Sequence, residues 1–417
     1  MGILDWIKDY WKDIRKSTGK TFKNIVLTAH FWVILVAVGL MVAMGIIIFN
    51  LLDARSDQRM AEYWQNNSET SYRQISVFSK TEKIGEKVPL YQDLEGNALS
   101  RDSIKDMRKA LQGTVDSGKK TVASETKEVK PKGWEDCFST QFMADVNYTK
   151  SQVVDASEVE RDMNTTAEVV AVGGNFTAFH PFEYMSGGFL PADAKGSEYE
   201  NLVVVNDKLA WEMFKSYDVT GEKIRLWEKD FIICGVIREK KTDVDRITGA
   251  DKNRVFCYFS VVEELNKNNY FSDNPEAPVK TIAITCYEVM LPEAVKGVAR
   301  SDVLAALPSY NAEDPMQLIV SNTERFRVDK VYDHNIPVGK FENDTADYQF
   351  PYWEKASILT YERLFVAEAV CLFAIILFFI GIILVALRVR RSRLEPKVVE
   401  EDKDEEEDSI QDSIQMS

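Results

Sequence analysis

The chain has 417 residues, of which 45% are hydrophobic and 28% charged, with a formal net charge of −15. That length allows two or three domains, and the excess of acid argues against nucleic acid as a partner. Five cysteines without a CxxC spacing exclude a disulfide-dense domain; they read as buried small hydrophobes, with the disulfide state of Cys137 and Cys286 left open.

Taken in chain order, Ile3, Leu4, Ile7, Tyr10, Trp11 and Ile14 fall on one helical stripe, with Lys8, Asp9, Lys12 and Asp13 opposite. The spacing predicts an amphipathic helix on the membrane surface within a cytoplasmic segment, residues 1–30. Ser17 to Thr21 spell STGKT, the end of a phosphate-binding loop in composition. The first glycine of that loop would fall on Ile14 and no strand precedes it, so no nucleotide site is predicted.

Residues 31–52 form an uncharged run long enough to cross a bilayer, and residues 364–387 form a second with only Glu368 charged. The first run is too long for a signal peptide's apolar core and lacks a small-x-small site after it, which predicts an uncleaved anchor. Residues 1–30 hold six Lys/Arg against three Asp, and Arg388, Arg390, Arg391 and Arg393 follow the second run. Positive flanks on both predict cytoplasmic termini, with residues 53–363 on the far side of a plasma membrane. Glu368 reads either as a polar contact between helices or as a residue at the outer edge of the bilayer.

Between the spans, Asp53 to Gln65 reads as a polar helix rising from the membrane. Arg73 to Ser79 reads as a strand, and Asp102 to Leu111 as a helix capped by Ser100. Gly113 to Gly133 is polar and predicts a loop or a mobile hairpin. Ala167 to Val172 alternate as a strand ending in Gly173-Gly174, and Gly187-Gly188 end the next segment. Leu202 to Val205 are a short apolar run, and Asn206 can cap a helix whose face carries Leu209, Ala210, Met213, Phe214 and Tyr217. Gly221 breaks the chain, Ile224 and Leu226 alternate with charges, Trp227 to Asp230 turn it, and Phe231 to Ile237 return as a buried strand. The whole reads as a β-α-β-β unit. Lys240 to Asn253 read as a polar connection, Val255 to Val262 as a strand with Cys257 inward, and Lys280 to Tyr287 as another strand. Pro292 to Leu307 read as a helix with Val295, Val298, Val303 and Leu304 on one face, and Leu318 to Ser321 as a last buried strand. Tyr348, Phe350, Tyr352 and Trp353 read as an interfacial aromatic belt. Residues 388–417 run from basic to acidic, with ten acidic and two basic side chains after residue 394, and read as a disordered tail.

No chemistry is legible. The three histidines, His30, His180 and His334, form no cluster of ligand spacing along the chain, so no metal, cofactor or catalytic residue is predicted.

The central stretch resembles the periplasmic core domain of MacB/FtsX-type ABC transporter permeases. The residues that carry the resemblance are the strand turning at Gly173 and the segment Met185 to Leu190 containing Gly187. They continue through the Val-rich strand around Val204, the helix with Leu209-Ala210 and Phe214, the spacing of Gly221 to Ile224, and Ile233 to Val236 containing Gly235. Pro351 to Ala356, PYWEKA, resemble the entry to the family's second span. Two positions depart from the pattern: Gly188 stands where the family usually has Arg, and Leu190 where it usually has Phe. The resemblance implies an α+β class, with two transmembrane helices bracketing a large mixed α+β extracytoplasmic domain of two lobes. Members of the family continue with two further spans, so the expectation is a two-span form that depends on a separate ABC ATPase, a full-length permease chain, or both. Ile7, Trp11 and Ile14 are the candidate coupling residues. Two other classes compete. One is an envelope sensor or scaffold that binds an extracytoplasmic ligand or protein. The other is a two-span channel, suggested by the sequons at Asn66, Asn147, Asn164, Asn175 and Asn343 but disfavoured by the few cysteines.

Overall fold

A computed structural model describes residues 29–64, 71–81, 85–92, 98–117, 132–154, 157–191, 198–308, 316–331 and 348–394. The helix expected over Ile3 to Ile14, with Ile7, Trp11 and Ile14, lies outside the described residues, as do STGKT, His334, Asn66, Asn343 and the acidic tail. The chain divides into two units, Met1–Phe49 with Val366–Ser417, and Asn50–Phe365.

The first unit contains the apolar parts of two long helices, α1 (Ala29–Ala54) and the last helix of the chain (Tyr352–Leu394). Both are long and apolar enough to cross a membrane. Within this unit small residues bring the helices together. Ala37 and Ala374 are fully buried, and a Cβ on Gly381 would come within 2.6 Å of Ile34 Cγ1. Large apolar side chains such as Val42, Ile46, Phe379 and Ile383 face outward.

The second unit is a sheet domain, because its apolar residues recur with period two and are rich in Val, Ile and aromatics. Among the described residues its ten strands are β1 (Tyr72–Ser79), β2 (Glu135–Val154), β3 (Ser157–Gly174), β4 (Glu183–Gly187), β5 (Leu202–Asn206), β6 (Lys223–Leu226), β7 (Lys229–Arg238), β8 (Arg254–Tyr258), β9 (Cys286–Pro292) and β10 (Gln317–Ser321). Their order is β10-β1-β9-β2-β3-β8-β5-β7-β4, with β6 pairing both β2 and β7. The path β2-β3-β8-β5-β7-β6 therefore returns to β2 and closes a ring, which the outer part of the β2–β3 hairpin overhangs. The three strands β10, β1 and β9 extend the sheet from β2 as a flank. The ring and the flank are the two lobes of this α+β domain.

Helices cover both lobes. On the flank, α3 (Arg101–Ser117) packs on α8 (Val298–Ala306). Ser100 Oγ accepts from Ser103 N at 3.2 Å, so it caps α3 as its sequence predicts. On the ring, α5 (Asp207–Phe214) is capped by Asn206, whose Oδ1 accepts from Leu209 N at 3.1 Å. Shorter helices are α2 (Met60–Tyr63), α4 (Phe176–Phe179), α6 (Asp243–Ile247), α7 (Phe259–Lys267) and α9 (Val328–Val331), and the last helix is α10 (Tyr352–Leu394).

Several expectations are corrected. The polar helix expected over Asp53 to Gln65 breaks at Ala54 into a 3-10 turn, Ser56–Arg59, and α2. The strand expected over Val255 to Val262 ends at Tyr258 and becomes α7. Phe259, Val262 and Asn266 recur there at helical spacing and are buried, which outweighs the β-branched pair Val261-Val262. Strand β9 begins only at Cys286; Ala283, Ile284 and Thr285 donate instead to Leu90, Leu99 and Ser139 carbonyls. Helix α8 starts at Val298, leaving Val295 67% exposed. Tyr217 lies beyond α5, which ends where Lys215 adopts φ 55°. In β7 Ile232 points outward, and β10 is a half-buried edge. The largest element not anticipated is the β2–β3 hairpin, whose pairing runs from Cys137↔Gly174 to Val154↔Ser157.

Candidate functional site

Within the sheet domain, the segment that follows the first apolar run and the segment that precedes the second meet the strand ring around one partly open cavity of about 560 Å³. Asp53, Arg55 and Asp57 line it from one side, and Tyr352 and Trp353 from another. His180, Arg238 to Thr242 and Asp245 complete the wall.

Each segment is fastened by buried charge. Arg55 pairs with Asp245, and both are almost wholly buried. Asp245 is oriented by the start of α6, where Thr242 caps the helix and also bonds the Asp245 carboxylate. Lys240 Nζ lies 2.7 Å from Asp57 Oδ1 and donates to the Ala54 carbonyl at 2.6 Å. Burial alone would raise the Asp57 carboxyl, but the charges of Lys240 and Arg55 outweigh it and hold the group below its ordinary value. On the other segment, Arg325 forms a two-pronged pair with Glu354, each bond 2.8 Å, in a site where both side chains are buried. Arg254, fully buried at the start of β8, pairs with Glu168 at 2.8 Å and with Glu239, and its guanidinium lies 3.6 Å from the Tyr352 ring centre. Removing one partner of such a pair leaves an uncompensated charge in a dry site, so these contacts tolerate little displacement.

Beside the cavity, strand register brings three further groups together. Glu288 on β9 lies directly opposite Ser76 on β1 and Cys137 on β2, and His180, just after α4, reaches the same carboxylate. Ser76 Oγ donates to Glu288 Oε1 at 2.9 Å and Gln74 Nε2 does so at 3.3 Å. His180 Nε2 bonds Glu288 Oε2, and Cys137 Sγ lies 3.9 Å from the same oxygen. The His180 ring packs between Phe176 and Trp353, each 4.5 Å away centre to centre. Burial, reinforced by the Glu288 charge, pushes the Cys137 thiol well up. All five cysteines are free, and the aromatics expected as a membrane belt are partly interior, with Phe350 and Trp353 buried in the core of the domain.

The residues singled out in the sequence are placed elsewhere, in the ring and its helix and on β4 beside it. Val204 and Leu209 are fully buried, and Phe214 packs near Tyr148 at 6.0 Å between ring centres. Gly173, one residue before the end of β3, lies against the Phe138 ring, and Gly221 precedes β6 at φ 93°. Gly187 and Gly235 answer one requirement. β4 and β7 approach so closely that a Cβ on Gly187 would meet the Cys234 carbonyl at 2.0 Å, and one on Gly235 the Gly188 carbonyl at 2.1 Å. These seven residues hold the ring and do not line the cavity. Sequence reading missed the cavity because its charges come from distant segments; the only local signal was Asp and Arg just after an apolar run and Glu354 just before one.

No protein-family profile matches the chain, and no curated protein matches it. Among solved structures, the periplasmic region of MacB from Actinobacillus actinomycetemcomitans is similar over 60% of this chain and 88% of its own, at 14% identity and a TM-score of 0.34. The extracellular domain of the noncanonic ABC-type transporter YknZ from Gram-positive bacteria is similar over 59% of this chain and 99% of its own, at 10% identity and a TM-score of 0.33.

Proposed function

We propose that the chain is a permease-like membrane subunit of a MacB/FtsX-type ABC transporter, with its sheet domain outside the cytoplasm and both termini inside. On this reading it is not an enzyme, and a separate ATPase, with or without another permease chain, supplies the motor. The observation that supports the reading most is the buried fastening of both segments that lead to the apolar helices. Arg55–Asp245 and Asp57–Lys240 hold one, and Arg325–Glu354 and Arg254–Tyr352 hold the other. A helix displaced by a cytosolic motor would carry the sheet domain with it, because slippage at Arg55–Asp245 or Arg325–Glu354 unpairs a buried charge. The motifs around Val204 and Gly235 and the PYWEKA segment agree with the same family.

The test is purification from gently solubilised native membranes. An ABC ATPase or a full-length permease is expected to co-purify, and Ile7→Glu with Trp11→Glu is expected to weaken that association while the sheet domain stays folded. Recovery of the chain alone, as monomer or homo-oligomer, defeats the subunit reading in favour of an envelope sensor or scaffold. A reporter active only outside the cytoplasm is expected to work near residue 120 and to fail at residue 417.

A further inference from the structure

We propose that Cys137, His180 and Glu288 bind a zinc ion inside the sheet domain. Among the described residues this is the one group of three Cys, His, Asp or Glu side chains whose ligand atoms converge, all lying within 4.8 Å of one another, and all three side chains are buried. A thiolate, an imidazole and a carboxylate form the mixed sulfur, nitrogen and oxygen set that suits zinc better than the all-oxygen cages of magnesium or calcium. Zinc bonds of about 2.0 Å to nitrogen or oxygen and about 2.3 Å to sulfur place tetrahedral ligand atoms roughly 3.2–3.8 Å apart. Cys137 Sγ and Glu288 Oε2, at 3.9 Å, already stand near that separation. His180 and Glu288 are closer, joined by a hydrogen bond that the ion replaces.

The surroundings are those of a metal site and not only of a buried ion pair. Strand register fixes two of the three ligands, since Cys137 and Glu288 are direct cross-strand partners on one face. The far oxygen of Glu288 is held by Ser76 and Gln74, which leaves Oε2 for the ion. Asn322 Nδ2 in turn donates to Ser76 Oγ at 2.7 Å, so the carboxylate is backed by a chain of bonds. Gln74 Oε1, on the amide that donates to Glu288 Oε1, is buried without a hydrogen-bond partner. His180 also lines the partly open 560 Å³ cavity, which gives the group a path to solvent.

Binding requires Cys137 to lose its thiol proton to solvent, a loss that the zinc charge drives. The ion ties β2 and β9 to the segment after α4. Because His180 packs on Trp353, it also stiffens the start of α10 against the sheet.

The test uses the full chain in detergent, stripped by chelator and then given zinc alone. Wild type and the control Cys234→Ala are expected to retain one zinc per chain through gel filtration and to melt at a higher temperature with zinc than without. Cys137→Ala and Glu288→Gln are expected to lose zinc and its thermal shift, and Ser76→Ala to weaken affinity by about tenfold. Cobalt in place of zinc is expected to give a thiolate charge-transfer band in wild type that Cys137→Ala lacks. Wild type that retains no zinc, or Cys137→Ala that retains as much as wild type, overturns the site. Should Cys137→Ala fail to fold, the cobalt band of wild type decides alone: its presence supports thiolate ligation and its absence refutes it.

Discussion

Around Val204 and Ile233 the strand ring buries aliphatic and aromatic side chains, whereas around Arg254 and Arg325 the same domain buries guanidinium and carboxylate groups. The first kind of burial is non-directional and roughly proportional to area, so many apolar side chains of similar volume satisfy it. The second works only when each charge meets its partner, and it yields little net stability compared with an apolar replacement. Charge is therefore a poor material for a core and a good one for a joint. It fixes where a segment enters and penalises every other position. In this domain the apolar material builds the scaffold and the ionic material fastens the segments leading to the two long helices.

Three changes break or sharpen that contrast. Val204→Asp places a charge without a partner in the ring and is expected to remove at least about 5 kcal/mol, enough to unfold a domain of ordinary stability. Circular dichroism under urea would read it, and a wild-type midpoint would show that β5 is not interior. Arg325→Met strands Glu354 and is expected to cost about 3–5 kcal/mol, while adding Glu354→Leu returns stability to within about 1 kcal/mol of wild type. If the double variant is as unstable as the single, the pair is a stabilising core element and the contrast fails. Asp57→Asn has the smallest effect and a pH signature. The folded Asp57 carboxyl titrates below its ordinary value of 3.8, so its contribution is present above pH 3.8 and is lost as pH falls through the folded value. Melting temperature in Asp57→Asn should accordingly fall less than wild type across that acid range; parallel curves would mean Lys240 and Arg55 do not engage the carboxylate.

What could be read in advance divides along the same line. Both apolar helices, β1, β5, the Asn206 and Ser100 caps and the β6–β7 hairpin follow local rules of period, capping and turn, and the structure has them. The β2–β3 hairpin was not legible because residues 134–166 are mostly polar. Their strand character comes from pairing across the hairpin and not from an apolar run. Helix α7 was misread because Val261 and Val262 favour strands locally while their burial pattern is helical. The ion pairs and the Cys137, His180 and Glu288 group were invisible for a simpler reason. Arg55 and Asp245 lie 190 residues apart, and His180 and Glu288 lie 108 apart, so no spacing along the chain announces them.

The place of β1 in the sheet has a consequence for how this protein is made. It lies between β9 and β10, and Asn322 reaches Ser76 across 246 residues. As the chain emerges, β1 comes out early and finds neither neighbour until more than two hundred further residues have followed, a wait of roughly 10–40 s at ordinary synthesis rates. The hairpin and ring can form in that interval, but an apolar strand with two open edges must be sheltered from other chains throughout it. Biogenesis should thus be most vulnerable at the flank, and truncation just before residue 286 should yield a chain that aggregates through β1 instead of a smaller folded domain.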